Sequence, residues 1–483
     1  MKKFTLVALA MMASASCFAQ TTLWDGENTE ITSREHAGFW ADANPELVNN
    51  PEKDGINTSA HCLKFTISND NKVVKLPFRD WITPSMNGSK RVSFMIKKGA
   101  NENVQVELSD PTDGSAGYWK HQVVWYGGDD KWQKLVFDFT SNGDFDNPGI
   151  MSITAQTGDV NGEQTVYIDN IVIEDAPRIN GKLFSEYNAE NPITGNLTLT
   201  GAWMKGESIN ADGDWTPNSY NDFEYFNQQA SDGVISIDMR GTVTKDVDIN
   251  KFFKNPNTIV YSNENYKHDN VVVDGKAASL VLKDANAFNA PYDFTAESVT
   301  LKREVQAGIN SFVLPFAVTA DELGADKVAT YDRYDKDGDK TAYFNPVEKE
   351  VAANTPFLTM DVAEDKKAAE LSFSDKAIVA TPEKLGEVFV GVYAPQTAEG
   401  KYGIDDKGLL HKGGAGATIA AFHAYLVPNV ARVAFNGSTP TAINGIAADK
   451  TVNTAVYDLS GRRVYGKLQK GLYIMNGKKV VVK

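Results

Sequence analysis

The chain has few cysteines, few histidines and no long apolar run beyond its first residues. Of 483 residues, two are Cys and six are His. No two histidines have the H-E-x-x-H spacing of zinc peptidases, and the sequence contains neither a G-x-S-x-G elbow nor a G-x-x-x-x-G-K-S/T phosphate loop. After the N-terminus, no segment approaches the roughly 20 apolar residues of a membrane-spanning helix. These absences argue against those enzyme classes and against a transmembrane segment.

Basic residues are also scarce relative to acidic ones. The chain has 48 Lys and Arg against 63 Asp and Glu, for a formal net charge of −15. Binding to nucleic acid or to an anionic membrane needs basic clusters, so we expect neither as a partner. The length predicts two to four domains.

The N-terminus predicts export. Lys2 and Lys3 precede an apolar core at 4–13, and small residues lead to a cleavage site after Ala19. We predict a signal peptide over residues 1–19, with lipid attachment at Cys17 as the alternative. Cleavage leaves Cys62 as the single cysteine, and we expect a small buried side chain there rather than a nucleophile.

Short alternating segments separated by turn residues predict an all-β chain. The clearest alternation is at 91–96, 104–108 and 135–139. We divide the mature chain into a sandwich at 20–178, a β-rich domain at 179–300 that is either solenoid-like or an open β-layer, a β-sandwich-like domain at 301–440 and a short β tail at 441–483.

Two strands in the first domain carry a resemblance to a known class of module. The "WQKLVFDF" segment at 132–139 and the "YIDNIVIE" segment at 167–174 resemble jelly-roll carbohydrate-binding modules of the galactose-binding-like class. The "NNPEKDGINTS" segment at 49–59 is similar to sandwich modules of polysaccharide-degrading proteins in the phylum Bacteroidota. The resemblance implies an N-terminal jelly roll that binds a polysaccharide or other glycan.

The tail carries a second resemblance. The "YDLSGRRV", "KGLYI" and "GKKVVVK" segments look like the C-terminal sorting domain of type IX secretion cargo. This implies outer-membrane secretion machinery as a partner and places the protein outside the cell or on its outer surface. A plain terminal β-hairpin is the alternative, and the pattern itself predicts three short strands with glycine turns.

Aromatic clusters in the first domain are the candidate glycan-binding residues. Sugars have apolar C–H faces that stack on aromatic rings and hydroxyls that need polar partners. We predict ligand binding by residues that combine these two chemistries: Arg79, Trp81, Tyr118, Trp119, His121 and Trp40. Trp119 and Trp125 have opposite strand parity, so we predict that Trp119 is exposed and that Trp125 belongs to the core. A core role is the alternative for each tryptophan.

The resemblance also implies one structural Ca²⁺ between the first and last strands of the sandwich. By their order in the chain, Asp169, Asp25 and Glu27 match its ligands, because Ca²⁺ prefers carboxylate and carbonyl oxygens. The alternative for Asp169 is a solvated strand residue. A second acidic stretch at 335–339 lacks the spacing of an EF-hand loop and predicts a hairpin turn instead.

The leading hypothesis is therefore a secreted or surface-attached, non-catalytic glycan-binding protein. One alternative is a structural or adhesive surface protein whose sandwich is only a spacer. A second is a divergent glycoside hydrolase, which would need a cleft with two carboxylates roughly 5–10 Å apart.

Overall fold

Strands dominate the structure, a computed structural model. It describes residues 21–25, 27, 40–41, 45–53, 56–77, 90–109, 120–140, 150–183, 186–203, 205–209, 219–242, 248–336, 338, 340–427, 429–436, 456–457, 463–464, 470–475 and 478–482. Within these ranges, no helix is long and apolar enough to cross a bilayer.

The N-terminal part is a sandwich of two antiparallel sheets. Its strands are β1 (Thr21–Trp24), β2 (Trp40–Ala41), β3 (Glu46–Asn49), β4 (His61–Ile67), β5 (Val73–Pro77), β6 (Lys90–Lys98), β7 (Glu102–Ser109), β8 (Lys120–Tyr126), β9 (Gln133–Asp138), β10 (Ile150–Thr154) and β11 (Gln164–Asp175). One sheet has the order β9-β6-β11-β4-β3, with β1 also paired to β11, and the other has the order β2-β5-β10-β7-β8. The prediction of an all-β chain with an N-terminal jelly-roll sandwich is confirmed.

The sandwich core forms where the two inner faces meet. Phe65, Phe94 and Phe137 come from the first sheet, and Val106 and Ile153 come from the second; all are at most 2% exposed. Strand alternation places one residue in two on this inner face, which is why the short apolar-polar repeats of the sequence produce a single core. Cys62 is fully buried and free, as predicted.

The first sheet continues into the next part of the chain. The strands β15 (Lys205–Ile209) and β16 (Ser219–Asn221) extend it, and β15 runs parallel to β9. Arg91, on the outer face of β6, is buried and donates to Asp138, to Asp222 and to the carbonyl of Ala202. These bonds attach the region after residue 200 to the outer face of this sheet.

The second region is a mixed sheet, in which the described strands make four parallel and four antiparallel pairs. It contains β12 (Arg178–Ile179), β13 (Lys182–Leu183), β14 (Ile193–Thr200), β17 (Ala230–Gly241), β18 (Ile259–Ser262), β19 (Val271–Val273), β20 (Lys276–Lys283), β21 (Phe294–Lys302) and β26 (Leu371–Ile378). The pairs β14–β17, β17–β18, β18–β19 and β20–β21 are parallel. The helix α1 (Asp222–Gln229) and a 3₁₀ turn at Ile249–Phe252 pack beside it.

Buried asparagines hold the turns between these strands. Asn257 donates to the carbonyls of Lys283 (2.7 Å) and Asn286 (2.8 Å) and accepts from the Lys283 N–H (2.6 Å). Asn270 makes an equivalent set of bonds with Pro256 and Val281. Because the turns are buried, these amides satisfy backbone groups that water does not reach.

The third region has small, mainly antiparallel sheets. Its strands are β22 (Ser311–Phe312), β23 (Lys327–Tyr334), β24 (Thr341–Val347), β25 (Phe357–Met360), β27 (Phe389–Val392), β28 (Gln396–Thr397), β29 (Tyr402–Ile404), β30 (Leu410–Lys412), β31 (Thr418–Ile419), β32 (His423–Leu426) and β33 (Arg432–Phe435), with 3₁₀ turns at Asp321–Leu323 and Glu364–Lys366. The strands β23 and β24 form the hairpin predicted around 335–339.

The tail forms a sheet of its own. The strands β34 (Val456–Tyr457), β35 (Arg463–Val464), β36 (Gly471–Met475) and β37 (Lys478–Val482) pair antiparallel in the order β35-β34-β36-β37. The prediction of three strands was wrong by one, because the two-residue strands β34 and β35 are too short to show alternation.

Candidate glycan-binding face and acidic site

The candidate binding surface is the outer face of the second sheet of the sandwich, which has the order β2-β5-β10-β7-β8 and is called the five-stranded sheet below. On β7 and β8, Val106, Leu108 and Val124 fill the core and are at most 1% exposed. The residues that alternate with them along each strand therefore lie on the opposite, outer face. Glu107 and His121 are outer-face residues that are half-buried and exposed, respectively.

One row of paired residues crosses all five strands. Trp40 on β2 pairs with Lys75 on β5, and Lys75 pairs with Ser152 on β10. Ser152 pairs with Glu107 on β7, which pairs with His121 on β8. Paired residues share a face, so these five positions form one line across the sheet. With strands about 4.8 Å apart, the line is about 19 Å long.

A second, shorter row lies beside the first. Thr154, Gln105 and Val123 occupy successive strands in register. The Gln105 amide Nε2 donates to Glu107 Oε2 across 3.1 Å, which links the two rows. The face thus presents hydroxyl, amide, carboxylate and imidazole groups within a few strand widths of one another.

Trp125 lies on this outer face as well. Its neighbours Val124 and Tyr126 are buried in the core, whereas Trp125 is only half-buried. Its indole lies against Gly127, where an added Cβ would come within 3.0 Å of Trp125 Nε1. The prediction that Trp125 belongs to the core is wrong, because alternation shows that two faces differ without showing which one is buried.

The predicted glycan-binding residues divide into two groups. Trp40 and His121 lie in the long row described above. The other four lie outside the described residues: Arg79, Trp81, Tyr118 and Trp119.

The described strands end next to those four residues in the sequence. The strand β5 ends at Pro77, β7 ends at Ser109 and β8 begins at Lys120. Pro77 pairs with Ile150, and Ile150 pairs with Ser109, so these strand termini share one end of the sheet. Residues 77, 109 and 120, which border the two segments in the sequence, therefore lie at one end of the sheet.

The acidic site lies in the other sheet, at a bulge in β11. Register with β6 shifts between Asp169 and Val172, and Asn170 adopts a φ of 49°. Asparagine tolerates this left-handed conformation better than most residues. The strand β4 pairs with β11 as far as Ile168, and β1 pairs from Ile171 onward. Asp169 lies at the position where the partner of β11 changes from β4 to β1, and its side chain is fully buried.

Asp169 accepts several hydrogen bonds but has no cationic partner among the described residues. Its Oδ2 accepts from Asn57 Nδ2 (2.9 Å) and from the Ser59 hydroxyl, and its Oδ1 accepts from the Asn170 N–H (2.7 Å). Burial raises the pKa of the Asp169 carboxyl above its usual value, and the charge of Glu27 adds to the rise, against these hydrogen bonds. The alternative that Asp169 is a solvated strand residue is wrong.

Glu27 contacts the same segment that holds Asp169. Its Oε1 accepts from the Ala60 N–H and from the His61 N–H (3.2 Å), and its Oε2 lies 3.1 Å from His61 Nδ1. Asp25 Oδ1 accepts from the Glu27 N–H at 3.0 Å. The segment at 57–61 therefore brings the first and last strands of the sandwich together through two carboxylates.

Comparison with known proteins gives similarity to parts of solved structures. No family model and no curated protein sequence matches the chain. An exo-β-agarase is 16% identical with a TM-score of 0.24, over 32% of this chain and 25% of the agarase. A xylan-binding domain from Paenibacillus barcinonensis is 14% identical with a TM-score of 0.21, over 29% of this chain and 85% of that domain.

A third similar structure is a family 29 carbohydrate-binding module complexed with mannohexaose. It is 13% identical with a TM-score of 0.21, over 32% of this chain and 90% of the module. This chain therefore covers about a quarter of the agarase and most of each of the two smaller modules.

The acidic site matches Ca²⁺ in the type of its donors. Asp169 and Glu27 offer the hard oxygen atoms that Ca²⁺ prefers, and the buried Asp169 charge lacks a cation among the described residues, whereas Asn57 turns its amide nitrogen toward Asp169. The described part of the chain has no group of three or more His, Cys, Asp or Glu side chains that could hold a metal ion. Amide, backbone or water oxygens would have to complete any Ca²⁺ shell here.

Sequence reasoning missed several residues of both sites. Gln105 and Glu107 stand at the polar positions of a clearly alternating segment, so that alternation was the signal that could have found them. Thr154 and Ser152 join the face only through β10 pairing, which no local pattern predicts. Asn57 lies in the segment that carried the resemblance, but nothing in its type points to Asp169.

Proposed function

We propose that this is a secreted or surface-attached glycan-binding protein that holds a polysaccharide on the outer face of its five-stranded sheet without cleaving it. The observation that carries the proposal is the row from Trp40 to His121, with the half-buried indole of Trp125 on the same face.

The chemistry of the face suits a carbohydrate. Aromatic rings stack on the apolar C–H faces of sugars, and polar groups fix their hydroxyls. Glu107 accepts hydrogen bonds, while Gln105 and Thr154 both donate and accept. A line about 19 Å long across five strands is long enough to bind several sugar rings of an extended polysaccharide rather than a single ring.

The remaining expectations form part of the same proposal. A Ca²⁺ ion held by Asp169 and Glu27, with Asn57 beside them, would supply positive charge to a buried carboxylate and fasten β1 to β11. It would act in stability rather than in sugar contact, because this bulge belongs to the other sheet. Residues 1–19 would direct export, and the tail sheet would engage outer-membrane secretion machinery.

Affinity electrophoresis of the full mature chain tests the proposal. The gels contain β-glucan, xylan, mannan or mucin glycans, each with and without chelator. We expect retardation by at least one polymer, and about tenfold weaker binding in Trp125→Ala and Trp119→Ala. Tyr167→Ala is the matched control, because Tyr167 is a half-buried aromatic residue of the other sheet.

Three outcomes separate the alternatives. Retardation that survives Trp125→Ala, Trp119→Ala and His121→Ala would reject this face as the binding site. A folded protein that no polymer retards would favour the structural or adhesive alternative. New reducing ends in the retarding polymer would favour the glycoside hydrolase.

A further inference from the structure

A cleft in the second region lies between α1 and the 3₁₀ turn at Ile249–Phe252. Its volume is about 420 Å³, within the range of small-molecule sites. Gln228 on α1 and Asn250 and Phe253 at the turn are among the residues that line it. The helix α1 begins at Asp222, which binds Arg91 on the outer face of the eight-stranded sheet. The cleft is therefore not a continuation of the five-stranded face.

Phe253 forms one wall of this cleft. Its ring stacks on the His268 imidazole with centroids 3.9 Å apart and planes 13° apart. His268 Nδ1 lies 2.6 Å from the Asp269 carbonyl, which fixes the imidazole because a carbonyl can only accept. Phe253 lines the cleft and is half-buried. One face of the Phe253 ring is thus covered by the His268 imidazole. This contact fixes the Phe253 ring at the wall of the cleft, where a sugar ring could stack on it.

The rest of the lining is polar and mixed in character. Asn227, Gln228 and Asn250 bring amide groups, which donate and accept hydrogen bonds. Glu224 brings a negative charge, whereas Lys251 and Lys254 bring positive charges, and Lys254 Nζ donates to the Ala230 carbonyl at 2.5 Å. Asn227 Oδ1 is buried and accepts no hydrogen bond from the described residues, so a residue of the cleft wall keeps an unused acceptor.

We infer that this cleft is a second saccharide-binding site, which takes a short neutral oligosaccharide with one ring stacked on Phe253. Amides match hydroxyl groups because both donate and accept. Glu224 offsets Lys251, and the Lys254 ammonium already donates to the Ala230 carbonyl, so the lining does not select an anion. The amide groups beside Phe253 disfavour a purely apolar ligand. The inference does not need the five-stranded face to bind.

Calorimetric titration of the full mature chain tests the inference. The probes are cellohexaose, xylohexaose, mannohexaose and N-acetyllactosamine. The background is the double variant His121→Ala/Trp125→Ala, which weakens the five-stranded face. Phe253→Ala and Gln228→Ala are then added singly. Gln229→Ala is the matched control, because Gln229 is the exposed neighbour on the same helix and is not part of the cleft lining.

We expect the double variant to bind one of these sugars with a stoichiometry of one. Phe253→Ala and Gln228→Ala should each weaken that binding about fivefold to tenfold, and Gln229→Ala should not change it. Phe253→Tyr should retain binding because it keeps the ring. Equal affinity in folded Gln228→Ala and Phe253→Ala would overturn the inference. So would a double variant that binds none of the four sugars, even where the unmodified chain binds through the five-stranded face.

Discussion

The buried ion pair between Arg91 and Asp222 should hold the sandwich to the second region. Arg91 Nη1 lies 2.8 Å and Nη2 lies 3.3 Å from the Asp222 carboxylate oxygens, and Arg91 Nε lies 2.9 Å from Asp138. The side chains of Arg91 and Asp222 are 6% and 0% exposed. Water therefore cannot replace either partner when the other is removed.

The size of the effect depends on which partner is changed. Asp222→Asn keeps the shape and removes one charge, while Asp138 still faces Arg91, so we expect a loss of about 2 kcal/mol. Arg91→Met leaves two carboxylates without their guanidinium, so we expect about 3–5 kcal/mol. For a cooperative unit of 150–250 residues, these losses lower the melting temperature by roughly 4–8 °C and 6–20 °C.

Differential scanning calorimetry of the mature chain measures these shifts, with Asp232→Asn as an exposed control. The double variant Arg91→Met/Asp222→Leu should be less destabilised than the sum of its single variants, because each change removes the partner that the other leaves buried. Strictly additive shifts, or single shifts no larger than that of Asp232→Asn, would refute the role assigned to this pair.

Three other predictions concern the acidic site, the cysteine and the asparagine turns. Folding raises the pKa of the Asp169 carboxyl, so this group stabilises the folded state below its unfolded pKa and loses that contribution as pH rises through its folded pKa. At pH 7 the carboxylate is then buried and charged, and added Ca²⁺ should raise the melting temperature. The calcium effect should become smaller as the pH falls and Asp169 becomes protonated. Asp169→Asn should abolish the difference, and an unchanged calcium effect in that variant would contradict the assignment. Burial raises the pKa of Cys62 to about 12, so a thiol reagent should label it only after unfolding, and rapid labelling of the native chain in a mass spectrum would contradict this. Asn257→Ala removes three hydrogen bonds and should cost about 3 kcal/mol in thermal unfolding, whereas exposed Asn263→Ala should cost far less; equal losses would show that the turn bonds contribute little.

The sequence pattern was sufficient to predict strands, some of their buried residues and one hairpin, because these features depend on neighbouring residues. Leu135 and Phe137 alternate along β9 and are fully buried, and Cys62 was expected to be buried and is. The hairpin between β23 and β24 followed from its turn residues. Each of these features is decided by residues within a few positions of one another.

Features that depend on distant residues were not predictable in the same way. Arg91 and Asp222 are 131 positions apart, and nothing near either residue indicates the other. The strand β15 pairs with β9 through Ser208 and Leu135, which are also far apart along the chain. Trp125 shows the same limit within one strand, because its face was set by what the sheet packs against.

The most direct test of glycan binding by the five-stranded face is hydroxyl-radical footprinting of the mature chain, with and without the polymer that retards it most. Oxidation of Trp125 and His121 should fall in the complex, while Tyr167 on the other sheet should react equally in both samples. Unchanged oxidation of Trp125 and His121, in a sample shown to be saturated with polymer, would contradict the proposed binding face.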